Sequence, residues 1–204
     1  MRRLRALALA AALLAWSAFV APRVPPRPQA VVQAVLAGVL VRGTRARLGL
    51  APPRLWSGLR YGVPLAAVVS AAVAGSTRIP AVRRGMAARE LPAPTLEWLL
   101  WRIPMGTVWS EEAAFRGALG TLTDAAFGRR WGLVLQAATF GGKHVADARS
   151  AGESVVGTVA VTGVAGLAFG WLYGRSGSLA ASMLAHLAVN EAGAVAALWV
   201  QRRR

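Results

Sequence analysis

The sequence predicts an all-α fold, a polytopic transmembrane bundle of six to eight helices. Three observations carry that expectation. Of the 204 residues, 55% are hydrophobic and only 16% charged, whereas a soluble globular domain carries about 25% charged residues. The apolar residues gather into six or seven stretches approaching the ~20 residues that a helix needs to cross a bilayer. Inside or beside those stretches stand Glu111, Glu112, Arg116, His144 and His186. A charged side chain costs roughly 2.5–3.5 kcal/mol at the centre of a membrane helix, so its survival there points to a functional site.

The formal charge is +16, from 24 basic residues, all arginine except Lys143, against 8 acidic ones. The arginines lie in short clusters between apolar runs: Arg2, Arg3 and Arg5; Arg42, Arg45 and Arg47; Arg83, Arg84 and Arg89; Arg202, Arg203 and Arg204. Helix flanks meet an anionic lipid surface in this way, whereas a nucleic-acid binder gathers its basic residues on one soluble face. The expected partner is therefore the lipid bilayer, and not nucleic acid. The absence of cysteine excludes disulfides, thiolate metal ligands and a cysteine nucleophile. The expected location is the bacterial cytoplasmic membrane, as an integral protein.

Taken in order, the run Leu4 to Val20 follows a basic start and reads either as a signal peptide or as a first span; no clean small-x-small site follows Val20, which favours a retained helix. Pro22, Pro25, Pro26 and Pro28 make a stiff connector, because proline lacks the amide donor. Ala30 to Val41 is short for a span. Arg42 to Arg60 mixes arginines with Leu48, Leu50, Leu55 and Trp56, the composition of an interfacial segment. Tyr61 to Ser76 is the next span and Arg78 to Pro94 a polar loop. Leu96 to about Leu119 is a long helix with Trp98, Trp101 and Trp109 in its first half and the two glutamates near its end. Trp131 to His144, Ser154 to Tyr173 and Leu179 to Val200 complete the set, with Gly174 to Ser178 as the last turn. The basic N- and C-termini both favour the cytoplasmic side, which requires an even number of spans. The chain divides at residue 94: residues 1–94 hold N-terminal transmembrane and interfacial helices, and residues 95–204 carry the glutamates and histidines, within one membrane domain.

On an α-helix Glu112 and Arg116, four apart, share a face and pair, while Glu111 points elsewhere. That leaves Glu111 as the freer carboxylate, available as a general base. His144 follows two glycines, with Asp147 three residues on. His186 and Asn190 share a face of the last helix.

These residues fall into three motifs: Glu111-Glu112-x-x-x-Arg116, Phe140-x-x-x-His144 and His186-x-x-x-Asn190. In that order they resemble the CPBP group of intramembrane proteases, named for CAAX-processing and bacteriocin-processing members and also called Abi proteins. The resemblance covers roughly Trp98 to Val200. It implies a membrane-embedded polar cavity, with residues 95–204 as the catalytic core. It also implies hydrolysis of a peptide bond in a peptide or membrane-protein substrate by a water activated between Glu111 and His144, with His186 and Asn190 stabilising the oxyanion and Glu112 and Arg116 shaping the site or holding substrate. Its members are described both as metalloproteases and as glutamate-based enzymes, so the cofactor is either a divalent metal such as zinc or none. Lys143 stands where an apolar or aromatic residue is commoner in that group, a departure that bears on activity rather than on fold. The alternatives are a catalytically inactive scaffold or immunity protein that keeps the cavity without turnover, and a small transporter using the glutamates as a proton relay.

Overall fold

The computed structural model describes residues 1–203, so that Arg204 of the C-terminal arginine cluster lies outside it. Helix α1 (Arg2–Ala15) continues through a π turn, Trp16–Val20, and a 3-10 turn, Ala21–Arg23. Helices α2 (Pro26–Thr44), α3 (Arg54–Ser76) and α4 (Pro80–Ala88) follow. Residues 95–119 form one rod, α5, in which a first turn Thr95–Glu97 leads into wide π-helical stretches, Trp98–Trp109 and Glu112–Leu119. Then come α6 (Gly120–Gly142), the short α7 (Val145–Ser150), α8 (Val155–Ser176) and α9 (Leu179–Arg202). Every element among the described residues is helical, as expected.

Four helical segments are long and apolar enough to cross a membrane: Arg2–Arg23, Arg54–Ser76, Val155–Ser176 and Leu179–Arg202. They make this an integral membrane protein, with Val63, Val68, Val161, Val164 and Trp199 on outward faces. The count is below the six to eight expected. The rod α5 carries Arg102, Glu111, Glu112 and Arg116, and α6 carries Asp124, Arg129 and Arg130; Glu112 and Arg116 are buried in the bundle, whereas the three charged residues of α6 are exposed in its arms beside Gly128.

Several boundaries differ from the sequence reading, each for a local reason. Pro26 and Pro28 open α2 and do not precede it, since proline at the first helical turn loses no hydrogen bond that the helix would have made. The stretch Arg42 to Arg60 is split between the end of α2, a loop and the start of α3, and the loop before α5 contains α4. The helix with the two glutamates runs past Leu119 as far as Gly128, whose φ of 77° and ψ of 162° break α6 into two arms. Gly132 lets those arms fold back on each other, because a Cβ there would stand 2.8 Å from the backbone nitrogen of Asp124.

Small residues bring the helices together, as in other membrane bundles. Gly58 and Gly62 of α3 pack on α9, where a Cβ at Gly62 would stand 3.0 Å from the Cα of Ala181. Gly141 of α6 approaches α8 so closely that its Cβ would lie 2.7 Å from the carbonyl oxygen of Val159. Helix α1 packs on α6 through fully buried Ala6 and is part of the bundle. The turn from α8 to α9 is closed by Gly177 at φ 68° and by Ser178, whose hydroxyl caps α9 at the Ala180 amide.

Candidate active site

Three helices deliver the site: α5 the glutamates and Arg116, α6 the Phe140 to Lys143 end, and α9 His186. Pro104 lies inside α5, where its missing amide and ring disfavour a regular α turn. The wide π turns that follow are a winding otherwise rare outside functional sites. Along the second π stretch, every residue from Glu112 to Leu119 is buried.

Glu112 is fully buried. Its Oε1 lies 2.8 Å from His186 Nδ1 and 3.3 Å from Arg116 Nη1. A carboxylate only accepts, so in the neutral imidazole this bond places the proton on Nδ1 and leaves Nε2 with its lone pair. Nε2 stands 3.9 Å from Glu111 Oε2. The Arg116 guanidinium makes no hydrogen bond to any protein group; its 3.3 Å approach to Glu112 is a charge pair without hydrogen-bond geometry. Its remaining surroundings are aromatic: the guanidinium carbon is 3.9 Å from the Phe140 ring centre and 5.2 Å from that of Phe169. Desolvated cation–π contacts of this kind are worth about 2 kcal/mol, which offsets part of the cost of burying the charge. Phe169 also stacks on His186, with ring centres 5.0 Å apart.

Glu111 is not the freer carboxylate. Lys143 Nζ donates to its Oε1 at 2.6 Å, with both side chains largely buried. Helix α6 ends at Gly142, and Lys143, its C-cap residue, keeps a helical φ of −62° and ψ of −24°, so its side chain leaves the end of the helix toward α5 and Glu111. Lys143 therefore acts on the carboxylate and not chiefly on its neighbour His144. Glu111 Oε2 is buried without a hydrogen-bond partner.

His144 lies outside the span expected for it, as the N-cap residue of α7. Its Nδ1 is 3.2 Å from Asp147 Oδ2, and the hydrogen bond from the imidazole holds the Asp147 carboxyl below its ordinary range. The His144 ring meets Phe140 edge-on at 5.3 Å, and His186 meets the same ring at 6.1 Å. Phe140 thus lies between the two imidazoles, and no hydrogen bond joins His144 to Glu111 among the described residues. The Asn190 amide donates to the His186 carbonyl at 3.1 Å, one turn back on its own helix.

Two cavities meet at the Glu111–Lys143 pair. One, of about 240 Å³, is apolar and bounded by Leu9, Leu13 and Trp16 of α1 and by Leu36 and Leu40 of α2. The other, of about 740 Å³, is polar and includes Arg23, Gln29, Arg102, Thr107 and Asp147. Glu111, Lys143, Gln33 and Ser17 border both.

The donor set does not suit a metal ion in this arrangement. Among the described residues no three His, Asp or Glu side chains converge as metal ligands. Each glutamate is already paired with a cation, and His186 Nδ1 is bonded to Glu112, so a divalent ion would have to displace Lys143 from Glu111.

Sequence reasoning located Glu111, Glu112, Arg116 and His186 but missed two contributors. Phe169 is one; its signal was a single aromatic residue between Gly166 and Gly170 on a helix of small and β-branched residues. The role of Lys143 as the Glu111 partner is the other; its signal was the only lysine of the chain, next to a motif histidine.

Residues 92–192 match a family model described as Type II CAAX prenyl endopeptidase Rce1-like. No curated protein and no solved structure matches the chain. This stretch is a Rce1-like domain, and it contains the buried network joining His186 to both glutamates. That network is consistent with a Glu/His-based hydrolytic site.

Proposed function

We propose that the protein is an intramembrane endopeptidase of the bacterial cytoplasmic membrane that hydrolyses a peptide bond in a peptide or membrane-protein substrate. The observation that carries this reading is the position of Glu111, buried beside His186 where an apolar cavity meets a polar one. An apolar part of the substrate occupies the space between α1 and α2, while the scissile bond reaches water at Glu111. On this reading residues 95–204 supply the chemistry, and residues 1–94 supply the wall that receives the substrate.

Glu111 Oε2 takes a proton from water, whose oxygen attacks the carbonyl carbon; the C–N bond then breaks and the proton passes to the leaving amine. His186 Nε2, 3.9 Å from that oxygen, holds the same water. Glu112 fixes the imidazole tautomer, and Arg116 fixes Glu112; both are positioning residues. His144, oriented by Asp147 as a second imidazole across Phe140, is the partner for the oxyanion or the leaving amine. Asn190 can join the oxyanion donors once its amide turns away from the His186 carbonyl.

The test is cleavage by the protein in vesicles of a panel of peptides with apolar C-terminal segments, with and without an attached lipid chain, read by mass spectrometry. Cleavage lost in both Glu111→Gln and His186→Ala supports the proposal; cleavage that persists in both overturns it. The Lys143–Glu111 contact favours one second reading, a scaffold or immunity protein without turnover, because the ammonium group occupies one oxygen of the base. Lys143→Met separates the two readings. Turnover that rises or is retained in Lys143→Met supports the enzyme, and absence of turnover in the wild type and in Lys143→Met alike supports the scaffold.

A further inference from the structure

Arg116 also borders a separate cavity of about 410 Å³ that neither Glu111 nor either histidine touches. Its rim is basic. Arg45 and Arg47 reach it from the loop after α2, Arg54 from the first turn of α3, and Arg129 from the arm of α6 that follows the break at Gly128. Asp124 is the one carboxylate among the lining residues. Among the described residues, none of the four rim arginines makes an ion pair with an acidic group.

Deeper in the cavity are donors with nothing to donate to. Arg116 is 1% exposed and Gln136 2% exposed; all three guanidinium nitrogens of Arg116, and Nε2 of Gln136, are buried without a hydrogen-bond partner. Buried donors normally find an acceptor, so this set lacks an anionic or strongly accepting group. The rim is also held in place. The Tyr173 hydroxyl donates to the Arg47 carbonyl at 2.7 Å, the Leu179 amide to the Leu48 carbonyl at 2.8 Å, and the Ser178 hydroxyl to the Gly49 carbonyl at 2.7 Å. Gly49 is required there, because a Cβ would run into the Gly177 carbonyl.

We infer that this cavity binds a phosphate group, presented either by an anionic lipid headgroup or as free phosphate. Phosphate oxygens accept forked guanidinium bonds, the geometry for which arginine is suited better than lysine. The cavity lies at the end of α8, where Trp171 is exposed and Tyr173 half-buried, aromatic residues of the kind that settle at the headgroup level of a membrane. Through Arg116, a bound phosphate would share one guanidinium with Glu112 of the hydrolytic site. The inference stands on the cavity alone and does not depend on the protein being a protease.

The test uses the full chain purified in detergent, with native mass spectrometry to measure binding of phosphatidylglycerol, phosphatidylcholine and inorganic phosphate. The wild type is expected to prefer phosphatidylglycerol over phosphatidylcholine by at least ten-fold. Arg54→Ala with Arg129→Ala should cut phosphatidylglycerol affinity roughly 25-fold, about five-fold per arginine, which corresponds to ~1 kcal/mol for each basic residue at an anionic surface. Phosphatidylglycerol that binds and is not displaced by millimolar phosphate assigns the site to a lipid headgroup; displacement assigns it to free phosphate. Equal binding of the two lipids with no binding of phosphate overturns the inference. So does a wild-type preference in the double variant, or an equal loss in Arg83→Ala with Arg84→Ala, which would mark a general surface-charge effect.

Discussion

Arg116→Met removes a buried charge while keeping most of the side-chain volume, and so isolates what the guanidinium does. Arg116 is 3.3 Å from Glu112, and neither side chain has any exposure. Breaking such a pair on one side costs about 3–5 kcal/mol. His186 Nδ1 stays on the same oxygen at 2.8 Å, which places the loss at the lower end, near 3 kcal/mol. The lost cation–π contacts add about 2 kcal/mol, of which a methionine sulfur against the same rings returns about 0.3–1.5. The net is about 4 kcal/mol, and at roughly 2–4 °C per kcal/mol for a chain of this size the melting temperature should fall by about 8–16 °C in detergent. Arg116→Met combined with Glu112→Gln removes both charges and keeps an acceptor for His186, so it should recover to within about 1 kcal/mol of the wild type. A single variant that melts within about 2 °C of the wild type, or a double variant less stable than the single, would show that Glu112 does not need the arginine.

Glu111→Gln should lower turnover by at least the 10²–10⁴-fold that a positioned base contributes, with the protein still membrane-inserted; turnover within three-fold of wild type would remove Glu111 as the base. Gly62→Leu should destabilise by about 1–3 kcal/mol through overpacking against Ala181 and Leu184. Gly38→Ala, in α2 where a Cβ meets nothing within 4 Å, should stabilise by roughly 0.5–1 kcal/mol; melting curves that shift the same way for both would refute the packing assignment. Asp147 has its carboxyl lowered from 3.8 by the His144 bond. It therefore contributes stability above that value, which is lost as the pH falls through the lower folded value. Its side chain is 66% exposed, so Asp147→Asn should cost under ~1 kcal/mol at neutral pH and flatten the acid limb of the melting profile; an unchanged acid limb would mean that the bond does not persist in solution.

The helical class, and the meeting of Glu111, Glu112, Arg116 and His186, were legible in the sequence because both rest on strong local signals. Apolar length gives the spans, and a charged residue inside an apolar run is too costly to be incidental. Glu112 and Arg116 met as their spacing indicated, even on a π-helical turn. Three things were not legible. The count of spans depended on α5 and α6, whose charged residues lower their apolarity while burial inside the bundle keeps them in place. The position of the break in α6 depended on Gly128, one of 22 glycines in the chain, and only its positive φ distinguishes it from those that serve packing. The partner of Glu111 depended on how α6 packs on α5, a contact between residues 32 apart in the chain that spacing within either helix does not specify.

That last point sets how the chemistry of the two glutamates divides. A regular α-helix would separate Glu111 from Glu112 by orientation alone, leaving one paired and one free. Here both are paired, and the division falls between the oxygens of each carboxylate. Glu112 spends Oε1 on His186 and Arg116, so its work is to orient an imidazole. Glu111 spends Oε1 on Lys143 and turns Oε2 toward the bare Nε2 of the imidazole that Glu112 has oriented. Glu111 Oε2, buried without a hydrogen-bond partner, and His186 Nε2 thus stand 3.9 Å apart, with Glu111 at the join of an apolar and a polar cavity. Two acceptors so placed can share the protons of one water molecule, which is the requirement for making it a nucleophile. On the proposed endopeptidase reading, Lys143 neutralises the buried carboxylate from the opposite oxygen and leaves Oε2 open to that water.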